Sequence, residues 1–153
     1  MKEIPTKDAG FVVIQLFLFF AFFFDVRILR LSLPETAHLT GSFLFMMGMG
    51  ILLIAVLQLN RNLSVFPSPR QGAEFIKSGL YKYIRHPIYT GILTGGMGFA
   101  LYTDSGFRLL IILLLGVLFY FKSIYEEEKL SDVFRDYKDY KKKTGRFLPK
   151  LRF

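Results

Sequence analysis

Two short clusters concentrate the side chains that could do chemistry in this 153-residue chain. The first runs Ser78-Gly79-Leu80-Tyr81-Lys82-Tyr83-Ile84-Arg85-His86-Pro87-Ile88-Tyr89-Thr90-Gly91. Pro87 suits the first position of a helix, where its missing N–H costs nothing. A helix start also offers unpaired amides and a positive dipole end to a carboxylate or phosphate. The second cluster runs Lys122-Ser123-Ile124-Tyr125-Glu126-Glu127-Glu128-Lys129-Leu130. Lys122 and Glu126 stand four apart and so share a helix face. The carboxylates could accept hydrogen bonds from hydroxyl or amino groups of a ligand, and Tyr81, Tyr83 and Tyr89 could turn ring faces to a cation. Each feature also has a bland account. A lone histidine before a helix more often caps or packs than binds. A Lys–Glu pair at this spacing is usually an exposed ion pair of roughly 0.2–0.5 kcal/mol. Gly91, Gly95, Gly96 and Gly98 suit close helix packing as well as they suit a ligand lying against backbone.

Missing residues narrow the field. There are no cysteines, which excludes disulfides, thiolate metal sites and a cysteine nucleophile. Two histidines, His38 and His86, are too few for an ordinary histidine-built metal centre, so no metal is expected. Apolar residues make up 52% of the chain against 21% charged, with 18 phenylalanines and a mean hydropathy of +0.39. A soluble surface that apolar would associate, and disorder is excluded because there is ample apolar area to bury. The net charge is +8. In a membrane chain such an excess first reflects orientation and contact with anionic headgroups. Nucleic acid is not an expected partner, because six acids between Glu126 and Asp139 dilute the ten basic residues of the tail.

The elements that must position the two clusters are apolar helices. Residues 39–59 contain no charge over 21 residues, close to the ~20 that a bilayer core requires. Residues 9–33 hold the run from Phe11 to Phe24, interrupted only by Gln15, and form another span. Residues 87–103 and 107–121 are shorter, with the turn signal Tyr102-Thr103-Asp104-Ser105-Gly106 between them. The expected architecture is therefore an all-α integral membrane protein of one domain, residues 1–153, with about four transmembrane helices. With four spans, 17 basic residues fall on the side of both termini and the central loop, against three opposite. The positive-inside rule places that side, with both termini, in the cytoplasm. Beyond the last span, Ser123 to Tyr140 sets Ile124, Leu130, Val133, Phe134, Tyr137 and Tyr140 near one face, predicting a cytoplasmic amphipathic helix that continues span four. Lys141-Lys142-Lys143 and then Gly145 mark its end. A hairpin of spans three and four brings the start of one beside the end of the other, so Arg85-His86 and Glu126-Glu127 should be neighbours.

Taken together and in order, Arg85-His86-Pro87-x-Tyr89-x-Gly91, then Glu126-Glu127-x-x-Leu130-x-x-x-Phe134-x-x-Tyr137-x-x-Tyr140, then Arg146-Phe147-Leu148-Pro149, resemble the isoprenylcysteine carboxyl methyltransferase family and its bacterial and phospholipid-methyltransferase relatives. The resemblance covers roughly Ala73 to Pro149. It implies S-adenosylmethionine as methyl donor, held within residues 73–149 on the cytoplasmic side. Carried over by position, cofactor contacts fall on Ala73, Glu74, Phe75, Ile76, Tyr81, His86, Pro87, Ile88, Tyr89, Glu126 and Glu127. Lys122 stands where the eukaryotic enzymes carry an arginine that faces the substrate carboxylate, and so takes the role of orienting the acceptor. Lysine keeps the charge and loses the two-pronged carboxylate geometry. The implied function is methyl transfer to a lipophilic small molecule or lipid, most like isoprenylcysteine carboxyl O-methylation, in the inner or cell membrane if the chain is bacterial. A phospholipid N-methyltransferase, a membrane reductase sharing the Arg-His-Pro-x-Tyr segment, and a non-catalytic membrane binder are the alternatives. In the reductases a Glu follows the Gly; here Ile92 follows Gly91, which favours methyl transfer.

Overall fold

A computed structural model describes residues 5–26, 29–60, 64, 66–68, 72 and 74–150. Every regular element among them is helical: α1 (Thr6–Phe23), α2 (Glu35–Leu59), a single 3-10 turn (Gly79–Lys82), α3 (Pro87–Tyr102), α4 (Gly106–Val133) and α5 (Tyr137–Lys143). Two isolated bridges, Arg30 to Ser105 and Ile84 to Gly145, tie loops to one another.

Local sequence explains the boundaries. Pro5 and Pro34 precede α1 and α2, and Pro87 opens α3, each at a helix start where a missing N–H is harmless. Asn60, at φ 45°, ends α2 in a backbone conformation that few non-glycine residues adopt. The Ser105 side chain accepts the Arg108 amide at 3.2 Å and caps α4.

Three helices, α1, α2 and α4, are long and apolar enough to cross a membrane. Their outer faces expose Phe17, Phe20, Phe43, Met46, Leu57 and Leu113. Such a belt is stable against lipid and would associate in water. The expected first span, 9–33, is shorter than the hydropathy suggests. Its helix stops at Phe23, because Asp25 is held by the Ser105 hydroxyl at 2.6 Å and by Arg108 at 3.5 Å, which turns the chain across the end of the bundle. The expected third span is α3, sixteen residues or about 24 Å long. Its loop end meets the chain that follows α1, with the Leu31 amide donating to the Asp104 carbonyl at 2.8 Å. At that same end His38 pairs with Asp104 at 3.0 Å.

The glycines of α3 settle their two readings. A Cβ on Gly91 would lie 2.7 Å from the Leu52 amide nitrogen, and one on Gly48 would run into the backbone of Gly95. Gly98 and Gly41 repeat the arrangement two turns further along. These residues let α2 and α3 pack backbone to backbone, while Gly96 faces the Ile112 side chain. The stripe leaves no room for a ligand against the α3 backbone, because α2 fills it.

The tail differs from one continuous amphipathic helix. Helix α4 ends at Val133, Phe134 is extended at φ −114° and ψ 110°, and α5 begins at Tyr137. The break turns the Phe134, Tyr137 and Tyr140 rings onto Phe75, with centroid distances of 5.2, 5.4 and 5.1 Å. It leaves Val133 exposed, off the apolar face that its spacing suggested. Burying three rings on Phe75 outweighs one lost helical turn. After α5 the chain doubles back. Gly145 donates to the Tyr83 carbonyl, and Arg85 and His86 donate to the Gly145 and Arg146 carbonyls, at 2.9 to 3.1 Å. The Thr90 hydroxyl donates to the Phe147 carbonyl at 2.7 Å. The segment Gly145 to Phe147 is thus strapped across the start of α3.

Candidate functional site

A cavity of about 270 Å³ opens where the start of α3, the end of the apolar run of α4 and the tail converge. Its walls include Glu74, Phe75, Ile76, Tyr81, His86, Pro87, Ile88, Tyr89, Lys122 and Glu126. Ten of the residues singled out from the sequence therefore meet around one space, although they span more than fifty positions of chain. Ala73 lies outside the described residues. Glu127 does not line the cavity. Its carboxylate is fully buried beside it, so the role its position gives it is structural support of the wall.

That support is extensive. Glu127 accepts from Arg85 Nε at 2.8 Å, Lys141 Nζ at 2.8 Å and Arg146 Nη2 at 3.2 Å, with His86 Nε2 at 3.3 Å. A buried carboxylate is tolerable when cations and hydrogen bonds surround it, and here they come from the α3 approach, α5 and the tail. Arg85 also donates to the Thr144 carbonyl and, at 3.2 Å, to that of Lys141. One carboxylate from α4 thus locks the tail to the Arg85-His86 segment.

His86 occupies the N-cap position of α3, yet its side chain makes no capping hydrogen bond. The ring instead lies between two acids, Nδ1 to Glu126 at 3.3 Å and Nε2 to Glu127 at 3.3 Å, and stacks on Tyr89 at 5.5 Å. Burial alone would lower its pKa, but the hydrogen bonds and charges of Glu126 and Glu127 outweigh burial and raise it above the ordinary 6.5. Because the His86 side chain turns away, the Ile88 and Tyr89 amides at the helix start have neither a side-chain cap nor an intrahelical acceptor.

Glu126 also accepts from the Tyr89 hydroxyl at 2.5 Å, and Tyr89 stacks on Phe119 at 4.2 Å in the bundle core. Tyr81 donates to the Ala55 carbonyl at 3.4 Å, and the Tyr140 hydroxyl donates to the Tyr81 carbonyl. Burial pushes the Tyr81 hydroxyl well up, with the Tyr140 and Glu126 charges adding to it, and burial pushes Tyr140 up to about 12. Both therefore stay protonated and act as donors. Lys122 is 1% exposed, donates to Gln15 Oε1 of α1 at 2.7 Å, and sits 5.6 Å above the Tyr89 ring. It is not half of an exposed ion pair. Gln15 is not marked by spacing, because a single polar residue in an apolar span carries no local signal of what it will face.

The cavity thus offers aromatic faces, a helix start whose first amides have no side-chain cap or intrahelical acceptor, and a carboxylate held by His86 and Tyr89. A ligand carrying a carboxylate, a cation and hydroxyl or amino groups matches this set. The nickel-cobalt-cadmium resistance protein NccN of Alcaligenes xylosoxydans xylosoxydans is 32% identical over 89 residues, which cover 58% of this chain. The chain spans 42% of the length of that relative. A family model described as phospholipid methyltransferase matches residues 36–137, from the start of α2 to the start of α5. That match takes in both halves of the cavity and most of the sequence, and the chain belongs to the phospholipid methyltransferase family.

Proposed function

We propose that this protein is an integral membrane methyltransferase that uses S-adenosylmethionine and methylates a lipophilic acceptor. The observation that carries the reading is the convergence of the Arg85-to-Tyr89 and Lys122-to-Glu126 segments on one cavity at the edge of the apolar belt. The residues fit the donor. The Ile88 and Tyr89 amides suit its carboxylate, Glu126 suits its hydroxyl or amino groups, and the rings of Tyr81 and Phe75 suit its sulfonium. At about 270 Å³ the cavity is near the lower end of ligand sites, which are usually about 300–1,000 Å³.

When bound, the donor supplies an electrophilic methyl group on a cationic sulfur. The chain's own contribution is positioning and the exclusion of water. His86 and Tyr89 fix Glu126, the Glu127 network fixes His86, and the strap Gly145–Phe147 covers the helix start. Lys122, on the α1 side, orients the acceptor. Carboxyl O-methylation of a prenylated cysteine and N-methylation of a phospholipid amine are the two acceptor chemistries that the resemblance and the family support.

The reading has α3 cross the bilayer beside the three longer helices, supported by its two ends: Asp104 meets Leu31 and His38 at one, and Arg85 and His86 meet the tail at the other. The basic asymmetry supports a cytoplasmic position for the cavity, α5 and both termini, in the inner or cell membrane if the chain is bacterial. The test is transfer of isotope-labelled methyl from S-adenosylmethionine by purified protein in vesicles holding either N-acetyl-S-farnesylcysteine or phosphatidylethanolamine. Label in the organic phase with one of the two is expected. No label with either acceptor, from protein that binds S-adenosylhomocysteine, would support the non-catalytic binder instead.

A further inference from the structure

A second hollow lies on the outer surface of the bundle, between α3 and α4. It measures about 490 Å³ and is walled by Leu93 and Met97 of α3 and by Leu113, Gly116, Val117 and Tyr120 of α4. From Leu113 to Tyr120 it follows α4 for about 10 Å. It shares no wall residue with the cavity. Gly116 keeps it open: a Cβ there would meet only Leu93 Cδ2, at 3.9 Å, so this glycine does not serve close helix packing as Gly48 and Gly91 do.

The end of the groove nearest the tail is charged. The Arg146 guanidinium stands 5.0 Å above the Tyr120 ring. Its Nε and Nη2 donate to Glu127 at 3.3 and 3.2 Å, and its Nη1 has no acceptor among the described residues. Arg85, Lys141 and Arg146 all pair with the one Glu127 carboxylate, so this cluster keeps a surplus of positive charge. The segment Lys141 to Lys150 adds to it, with five basic residues and no acid. Phe147 packs against the bundle core, while Leu148 beside it is exposed. An exposed leucine among basic residues suits the headgroup layer of a membrane.

We propose that this groove binds an anionic phospholipid, with one acyl chain between α3 and α4 over Gly116 and the phosphate on Arg146. An apolar trough that ends at an arginine matches an amphiphile with a negative head, and a guanidinium suits a phosphate in geometry as well as in charge. A lipid without net charge would fill the trough and leave the surplus positive charge unmet. The bound lipid braces the tail through Arg146. It is not the methyl acceptor, and the proposal stands apart from the methyl-transfer reading.

Photo-labelling in a bilayer tests it. The full chain is placed in phosphatidylcholine vesicles with a trace of either phosphatidylglycerol or phosphatidylcholine that carries a diazirine in one acyl chain. Labelled peptides are then mapped by mass spectrometry. The phosphatidylglycerol probe should label residues 113–121 about ten-fold more than the phosphatidylcholine probe, the factor that one charge-assisted hydrogen bond supplies. Gly116→Leu fills the groove and should remove most of that label, with a thermal midpoint in detergent near that of the parent. Val117→Phe, at an exposed wall position, is a second filler and should act alike. Arg146→Gln should bring phosphatidylglycerol labelling down to the phosphatidylcholine level, and Arg146→Lys, which keeps the charge, should keep most of the preference. Equal labelling of the parent by the two probes would overturn the proposal. So would label that persists in both fillers, or cross-links between two copies of the chain through this face in place of lipid. A preference that survives Arg146→Gln would overturn the placement of the phosphate.

Discussion

His86 shows how much one side chain does here that its position in the sequence does not announce. A histidine just before Pro87 reads as a helix cap. In the structure its ring leaves the helix start and bridges Glu126 and Glu127, one acid in the cavity wall and one in the network behind it. Its pKa is raised despite burial, by the hydrogen bonds and charges of those two acids. The sign of the pH dependence follows. The stabilisation from a histidine whose folded pKa exceeds the unfolded 6.5 is complete below about pH 6.5 and is lost as the pH rises through the folded value. His86→Gln should therefore cost roughly 1.5–3 kcal/mol near pH 6, and less on the alkaline side of that transition. Thermal unfolding of parent and variant in detergent across that range checks it. A gap between the two that widened with rising pH would contradict the imidazolium bridge. The neighbouring acids divide the labour by burial, which their adjacency in sequence hides. Glu126 is an arm of the site, and Glu127 is the anchor to which Arg85, Lys141 and Arg146 attach the tail.

At the scale of elements, the stripe of glycines decides which helices can approach. Gly48 of α2 faces the backbone of Gly95, while Gly50, two residues on, has open space where a Cβ would go. The pair forms an internal control. Gly48→Ala should destabilise by about 1–3 kcal/mol through overpacking. Gly50→Ala should be neutral, or stabilising by up to about 1 kcal/mol, through helix propensity. Thermal midpoints of the two variants in one detergent make the comparison, and equal midpoints would remove the backbone-contact account of α2 and α3. This contrast was open in the sequence, because Gly91-x-x-x-Gly95 serves helix packing and ligand approach alike. The hairpin of α3 and α4 was legible, since Thr103 to Gly106 is a strong turn signal between apolar runs. The break between α4 and α5 was not. Leu130, Phe134, Tyr137 and Tyr140 keep helical spacing across it, and the partner that bends them, Phe75, lies some sixty residues earlier.

The whole molecule is a small apolar bundle with its chemistry gathered at one end. The segments that form the cavity are motifs of contiguous residues, and hydropathy and spacing reveal such motifs well. What comes from α1, Gln15, is reached only through the tertiary fold, 107 residues from its partner Lys122. The 17-to-3 distribution of basic residues predicts that the cavity end faces the cytoplasm. A reporter active only after export and fused behind Phe153 should stay silent, and an active fusion would reverse the orientation. The central claim is that the cavity holds the methyl donor, and its most direct measurement is calorimetric binding of S-adenosylhomocysteine to detergent-purified parent, Glu126→Gln and Glu127→Gln. The parent should bind. Glu126→Gln should weaken binding by roughly 1–3 kcal/mol, or about five- to hundred-fold, with little change in thermal stability. Glu127→Gln should chiefly lower stability, by about 3–5 kcal/mol, because it removes the acid of a buried charge network. A parent that does not bind, or a Glu126→Gln that binds as the parent does, would contradict the account.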